Sequence, residues 1–255
     1  MTDILSAAEV VDEAARHARE IAQFTESGPL SVTEAYEIQA RSVARRLARG
    51  ERLVGVKMGL TSRAKMAQVG VNEVIWGRLT DAMRLEEGTS MSRARYVHPR
   101  IEPELAFLLK TPIEAEMTAP EALACVEAIA PAMEIIDSRY RNFKFALPDV
   151  IADNSSSSGF VVGPWSSPAK DFSNLGLVME VNGRAVEIGS TAAILGDPIR
   201  SLVAAARLAA PALGGLSAGW IILAGGVTAA YSLEVGDSVR ATMQGLGSVS
   251  VKVSN

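Results

Sequence analysis

Three glutamates lie in largely apolar segments, where burial of a carboxylate costs free energy unless a partner binds it. Glu102 and Glu104 flank a proline in the segment HPRIEPELAFLLK, and Glu134 interrupts the apolar run AIAPAMEII. In an extended strand, residues two apart point to the same face, so the first two carboxylates should project together. Like charges so placed repel unless a cation or protons intervene, and a carboxylate among apolar neighbours needs a partner. The pattern therefore predicts a site for a cation.

The ligand types indicate which cation this would be. Glu102, Glu104 and Glu134 offer only oxygen, and hard oxygen ligands favour Mg²⁺ or Mn²⁺ over zinc. The chain has one cysteine and two histidines, which argues against a structural zinc site. The alternative is that the first two glutamates lie on a solvated strand face and that Glu134 pairs with an arginine such as Arg139.

Other residues could act on a substrate beside the cation. Lys57 lies inside the apolar run VGVKMGL, where burial and nearby carboxylates would tune its pKa; the alternative is an edge-strand lysine that points to water. Paired glycines in GGVTAA permit a close approach of backbone to a ligand, although an ordinary tight turn would also use them. The cluster DNSSSS could bind a carboxylate. The predicted substrate-binding residues are Thr61, Asn154, Ser156, Gly225 and Gly226.

Composition excludes several classes of protein. The 255 residues carry a net charge of -4 without a basic stripe, which argues against a nucleic-acid partner. The single cysteine, Cys125, excludes an internal disulfide framework and fits a reducing compartment. The long apolar stretch at 202–216 is interrupted by arginine, proline and glycine, so we do not expect it to span a membrane. We expect a cytoplasmic protein.

The spacing of apolar residues changes along the chain, from helical near the start to strand-like later. Apolar residues at helical spacing predict helices over 6–24 and 32–49, the second with a capping box from Ser31 and Glu34 and a stop at Gly50. A short helix is predicted at 61–70, with helical patches near 119–128 and 198–210. Strand-like runs dominate after residue 101, and Asn182-Gly183 predicts a hairpin. Strands that do not alternate regularly with helices favour an α+β fold.

Six segments, in order along nearly the whole chain, resemble the 2-hydroxypentadienoate hydratase / 4-oxalocrotonate decarboxylase family, which is related to fumarylacetoacetate hydrolase. They lie at 54–71, 98–107, 131–145, 151–163, 223–230 and 244–251. The resemblance implies a mixed β-roll at 81–255 and a small, mainly helical N-terminal subdomain at 1–80. It also implies that Glu102, Glu104 and Glu134 bind the metal and that Lys57 is the catalytic lysine.

Within this family, IDSRYRNFKF and AGGVTAA resemble the decarboxylase branch, which implies Mg²⁺-dependent loss of CO2 from 2-oxohex-3-enedioate in aromatic meta-cleavage catabolism, without an organic cofactor. Gly159 departs from this branch, where an arginine tends to follow the serine run; Arg139, Arg141, Lys144 or Lys57 would then supply the charge for the second carboxylate. The alternatives are hydration of 2-hydroxypenta-2,4-dienoate, hydrolysis of an acylpyruvate, and a mainly structural subunit. The family also implies homo-oligomers or complexes with the related hydratase.

Overall fold

The computed structural model describes residues 3–62, 66 and 73–255. The helices are Ile4–Arg16 (α1), Val32–Ala48 (α2), Ala119–Ala124 (α3), Leu147–Ala152 (α4) and Ile199–Leu213 (α5). The strands are Leu53–Gly59 (β1), Ile75–Thr80 (β2), Arg84–Leu85 (β3), Ser90–Ser92 (β4), Arg100–Leu109 (β5), Val126–Ile136 (β6), Ser157–Val162 (β7), Gly176–Val181 (β8), Arg184–Ser190 (β9), Ile221–Gly226 (β10), Tyr231–Ser232 (β11), Ser238–Met243 (β12) and Gly247–Ser254 (β13).

The strands form two mixed sheets. The larger sheet has the order β2-β1-β10-β5-β6-β7-β3, and β11 pairs with β5; the smaller has the order β4-β13-β12-β8-β9. Most neighbours are antiparallel, but β1 pairs with β10, β3 with β7 and β4 with β13 in parallel. The Asn182-Gly183 turn joins β8 to β9 as predicted, with both residues at positive φ. The predicted α+β class is confirmed.

The main core lies between the two sheets. Ile101, Leu105 and Phe107 project from one face of β5 into a cluster that also contains the buried apolar residues of β8, β12 and β13. Residues of β5 with even numbers point to the other face, because side chains alternate along a strand. This second face carries the glutamates, so the packed face fixes the strands and leaves the opposite face for the site.

The caps and ends of the two N-terminal helices agree only in part with the prediction. The capping box of α2 is present, and Gly50 follows the helix end at a φ of 102°. The prediction that the first helix reaches residue 24 is wrong, because α1 ends at Arg16. Beyond it, Ile21 N–H donates to the carbonyl of Arg139 at 2.8 Å. This pairing with a distant segment replaces the helical hydrogen bonds that the apolar spacing favoured.

Two further predictions concern the first 80 residues. The helix at 61–70 lies outside the described residues except for Thr61, Ser62 and Met66. A domain boundary at residue 80 stays a prediction; β1 and β2, which precede it, both pair within the larger sheet. No helix in the described ranges has the length and apolarity that a membrane span requires.

Asp12 on α1 joins this helix to Arg45 on α2 and to Arg49 just beyond its end. The buried carboxylate accepts two hydrogen bonds of 2.6 Å from Arg49 and one of 2.9 Å from Arg45. Burial raises the pKa of Asp12, but these hydrogen bonds and charges outweigh burial and lower the pKa below 3.8. The ion pair therefore stabilises the fold above that pH and is lost as pH falls through the lowered pKa.

We expect Asp12→Asn to reduce the free energy of unfolding at neutral pH by about 1–3 kcal/mol, because two arginines lose their buried acceptor. Urea unfolding at neutral pH and at a series of pH values falling below 3.8 measures this, and the loss should shrink as the pH falls through the lowered pKa of Asp12. Glu9→Gln is the matched control, since Glu9 contacts the same Arg45 at 3.1 Å but is 61% exposed. Equal stability of Asp12→Asn and the parent at neutral pH would show that the Asp12 ion pairs do not stabilise the fold.

Candidate metal centre

The register of β5 and β6 brings the three glutamates together. Glu102 lies directly opposite Glu134. Glu104 lies opposite Ala132, two residues further along β5 and on the same face as Glu102. One carboxylate oxygen from each of the three glutamates lies within 4.8 Å of the other two. All three side chains are buried, Glu104 and Glu134 completely and Glu102 to within 8% exposure. The alternative of a solvated face for Glu102 and Glu104 is wrong.

Lys57 faces the same cluster. It pairs with Leu223 on β10, which pairs with Ala106 on β5, so the register places Lys57 on the face that carries Glu104. Its Nζ lies 2.9 Å from Oε2 of Glu134, and the side chain is 3% exposed. Because β1 lies between β2 and β10, the alternative of a lysine pointing to water is wrong. Burial lowers the pKa of Lys57, but the charges of Glu134, Glu102 and Glu104 outweigh burial and raise it, so the ammonium stays protonated.

Glu134 is held from both sides. While Oε2 contacts Lys57, Oε1 accepts a 2.7 Å hydrogen bond from the Ser157 hydroxyl. The predicted alternative partner, Arg139, is 2.5 Å from Oδ1 of Asp153 instead. Sequence reasoning missed Ser157, because nothing in the run of four serines distinguishes it from its neighbours.

Two glycines allow the third strand to approach the carboxylates. Gly225 N–H donates to Oε2 of Glu104 at 2.7 Å. A Cβ on Gly226 would lie 2.5 Å from Oε2 of Glu102, and a Cβ on Gly225 would lie 2.1 Å from Oγ1 of Thr61. Gly225 also has a φ of 110°, which favours glycine. The glycine pair is therefore required by close packing at the site, beyond the needs of an ordinary turn.

The charges of the cluster fit a divalent cation. Oε1 of Glu104 is buried and has no hydrogen-bond partner among the described residues. Burial, and then the charges of Glu134 and Glu102, raise the pKa of Glu104 well above 4.5. Burial also raises the pKa of Glu134, against the opposing charge of Lys57. Among the described residues, the three carboxylates and one ammonium carry a formal charge of -2. Their ligand atoms are hard oxygens, so Mg²⁺ or Mn²⁺ suits both the charge and the ligand type.

The remaining predicted substrate-binding residues differ in what their side chains contact. Thr61 is buried beside Gly225, and the Ser156 hydroxyl is buried without a hydrogen-bond partner among the described residues. The Asn154 amide binds backbone instead, because its Oδ1 accepts from Arg78 N at 2.8 Å and its Nδ2 donates to Arg78 O at 2.9 Å. Asn154 therefore holds β2 in place.

Arg100 is a second cation that sequence reasoning missed. It lies two residues before Glu102 on β5 and so shares the face of the glutamates. Its guanidinium lies 4.0 Å from the ring centre of Phe143, and no carboxylate among the described residues pairs with it. The periodicity of β5 could have revealed this position.

The glycine at position 159 replaces an arginine of the decarboxylase branch, but a side chain at this position would not reach the metal centre. A Cβ there would lie 3.1 Å from the Tyr96 hydroxyl and 3.2 Å from Cδ1 of Ile135. Ile135 packs in the core between the sheets, on the face opposite to Glu134. A longer side chain at position 159 would therefore point away from the carboxylates.

Comparison with known proteins fits this geometry. The family model of the fumarylacetoacetate (FAA) hydrolase C-terminal domain matches residues 53–254, which include the glutamates and Lys57. The chain belongs to this family.

A 4-oxalocrotonate decarboxylase from a Pseudomonas species is 60% identical to this chain over 243 residues, which cover 95% of each chain. A 2-keto-4-pentenoate hydratase from Paraburkholderia xenovorans LB400 is 33% identical over 95% of this chain and 92% of its own. The solved structure of the 4-oxalocrotonate decarboxylase from Pseudomonas putida G7, complexed with magnesium and adipate, superimposes with a TM-score of 0.95 at 39% identity, and the match covers 99% of this chain and 98% of that one.

We expect Glu104→Gln to abolish stabilisation by Mg²⁺ while leaving the metal-free protein as stable as the parent or more stable by about 1–2 kcal/mol, because it removes a buried like charge. The parent should gain about 2.7 kcal/mol at a Mg²⁺ concentration 100 times the Kd. Thermal unfolding in chelator and in Mg²⁺, with calorimetric Mg²⁺ titration, measures both effects.

Glu127→Gln is the matched control, because Glu127 is exposed on the same strand as Glu134. It should leave the Mg²⁺ response unchanged. If Glu104→Gln still gains stability from Mg²⁺ as the parent does, the cation binds elsewhere.

Proposed function

We propose that this protein is a Mg²⁺-dependent decarboxylase that converts 2-oxohex-3-enedioate (4-oxalocrotonate) to 2-hydroxypenta-2,4-dienoate in aromatic meta-cleavage catabolism. One observation carries the proposal: the buried glutamates and Lys57 form one cluster in a chain that is 60% identical to a protein named as this decarboxylase. In this proposal Glu102, Glu104 and Glu134 hold the metal, and Lys57 acts on the substrate.

The substrate needs an electron sink and a proton. When CO2 leaves, the C5–C6 bond breaks, and its electron pair forms C4=C5, shifts the former C3=C4 pair to C2=C3 and ends on the 2-oxo oxygen. A bound Mg²⁺ supplies Lewis-acid polarisation of that oxygen, so no organic cofactor is required. The chain supplies a water-poor face, an ammonium at Lys57 that can donate a proton, and donors near Gly225, Gly226, Thr61 and Ser156 for the oxo-acid end.

Lys57 is the proposed proton donor, and its removal tests this role. We expect Lys57→Met to lower kcat by about 10²–10⁴-fold, the range for general acid catalysis, while Mg²⁺ still stabilises the protein because all three glutamates remain. Steady-state kinetics and Mg²⁺-dependent thermal unfolding measure the two properties separately. Lys252→Met, on an exposed position of β13, is the control. Retention of parental kcat by a folded Lys57→Met variant would exclude the role.

Arg100 is proposed to bind the second carboxylate of the substrate, since it lies on the glutamate face without an anionic partner in the described part of the chain. Two residues along a strand span about 6.6 Å, which suits a six-carbon diacid extending from the metal centre. We expect Arg100→Met to raise KM for 2-oxohex-3-enedioate by about 10–100-fold without lowering kcat, because the ion pair is strongest in the ground state and weakens as this carboxylate leaves as neutral CO2.

Binding of 2-oxopentanoate, which lacks the second carboxylate, should be unchanged in Arg100→Met. Equal weakening of the diacid and the monoacid would indicate that Arg100 only supports the local fold around Phe143. Arg100→Lys, which keeps a cation, should lie between the parent and the Met variant in KM.

A hydratase is the second candidate, because the 33% identical relative is named a 2-keto-4-pentenoate hydratase. In that reaction 2-hydroxypenta-2,4-dienoate would lose its hydroxyl proton and gain one at C5, and the 2-oxo group so formed would be polarised for addition of water at C4. The decarboxylase is favoured by the higher identity to its named relative. Acylpyruvate hydrolysis and a mainly structural role are two further alternatives.

Product analysis by NMR in Mg²⁺ on the two substrates, supplied separately, decides among these. We expect loss of CO2 from 2-oxohex-3-enedioate and no hydration of 2-hydroxypenta-2,4-dienoate. Hydration of the second alone would establish the hydratase. Inactivity on both, with fumarylpyruvate cleaved, would establish the hydrolase, and inactivity on all three would leave the structural subunit.

We also propose a cytoplasmic location, a homo-oligomer, and association with a related hydratase. The assembly proposals rest on the family resemblance, and the location rests on that resemblance and on the single cysteine, which fits a reducing compartment. Light scattering after co-expression with such a hydratase tests assembly: a mass above that of either protein alone supports the complex, and separate elution contradicts it.

A further inference from the structure

A cavity lies beside β2. Its volume is about 650 Å³, and it is bounded by α2, β2, α4 and α5. Its wall is mainly apolar, formed by Tyr36, Trp76, Leu147, Ile151, Leu208 and Ala212. Tyr36 and Trp76 stack with ring centres 5.4 Å apart and form a flat surface on one side. We call this space the Arg78 cavity, after the one arginine among its described lining residues.

Arg78 is a buried cation without an anion. It is 7% exposed, its NH1 donates to the side-chain oxygen of Gln39, and its guanidinium lies 4.7 Å from the ring centre of Trp76. No carboxylate in the described residues pairs with it, and the Nε and NH2 of its guanidinium donate to none of the described residues. Burial lowers the pKa of Arg78 to about 10, so it remains protonated at neutral pH. Buried cations normally have a paired charge, because desolvation is costly.

The acids at the rim have other partners. Glu37 is 49% exposed and lies 3.7 Å from Arg41, while Glu73 is 69% exposed and lies 3.2 Å from Arg207. Both carboxylates therefore face water and their own arginines. The charge of Arg78 stays uncompensated among the described residues.

The Arg78 cavity is separate from the metal centre. Lys57 pairs with Gly77, whereas Arg78 and Trp76 pair with Val56 and Met58. Since side chains alternate along a strand, Arg78 and Trp76 point away from the face that carries Lys57. The side chain of Arg78 and the metal centre therefore lie on opposite faces of the sheet.

We propose that the Arg78 cavity binds a monocarboxylate on a compact aromatic or alicyclic body. The carboxylate pairs with the free edge of the guanidinium, which presents parallel N–H donors in the geometry that a carboxylate accepts. The body of the ligand packs on the Tyr36–Trp76 pair and the aliphatic wall. This site and its ligand are independent of the reaction proposed above.

Calorimetric titration with benzoate tests the proposal. We expect saturable one-to-one binding to the parent both in Mg²⁺ and in chelator, because the Arg78 cavity needs no metal, whereas carboxylate binding at the glutamates does. Arg78→Met should weaken benzoate binding by about tenfold or more, the usual effect of losing a charged hydrogen bond. Benzyl alcohol, with the same ring and no charge, should not distinguish the parent from Arg78→Met.

Arg207→Met is the matched control, since Arg207 pairs with Glu73 at the rim. It should bind benzoate as the parent does. If Arg78→Met does not fold, Arg78→Lys replaces it and should bind benzoate more weakly than the parent while retaining a cation. Absence of saturable binding in chelator, or parental affinity in the folded Arg78 variant, overturns the proposal.

Discussion

The crowding of three carboxylates on one buried sheet face is the constraint on which the rest of the site depends. Glu102 and Glu134 are cross-strand neighbours, and like charges so placed are destabilising. Lys57 offsets one charge at 2.9 Å, and the described residues of the cluster keep a net negative charge that a divalent cation would offset. The site is thus unfavourable without a cation, and the strands must be held in register by packing elsewhere.

That packing comes from the opposite face of the same strands. Odd-numbered residues of β5 enter the core between the sheets, so a one-residue slip would move them to the metal-site face and place the glutamates in that apolar core instead. Gly225 and Gly226 bring β10 close enough for a backbone N–H to reach Glu104. Stability and function are therefore divided between two faces of one sheet.

A short segment links the metal centre to β2. Ser157 binds Glu134, while Asn154 binds the backbone of Arg78 and Ser155 donates to the carbonyl of Trp76 at 2.7 Å. Asn154, Ser155 and Ser156 all have positive φ, which such contacts must hold in place. The same segment thus contacts a metal-site carboxylate and the strand that carries the Arg78 cavity.

The sequence by itself determined the residue types, the same-face relation of Glu102 and Glu104, the capping box of α2, the Asn182-Gly183 hairpin and, through ordered motifs, the family. These follow from local spacing and turn chemistry. The tertiary structure decided that α1 ends early, that Glu134 contacts Lys57 and not Arg139, and that Ser157 is the serine that binds Glu134. It also decided that a side chain at position 159 would face away from the carboxylates. Each of these depends on which distant strands become neighbours, and pairing between residues far apart in the chain leaves no periodic signal in either segment alone.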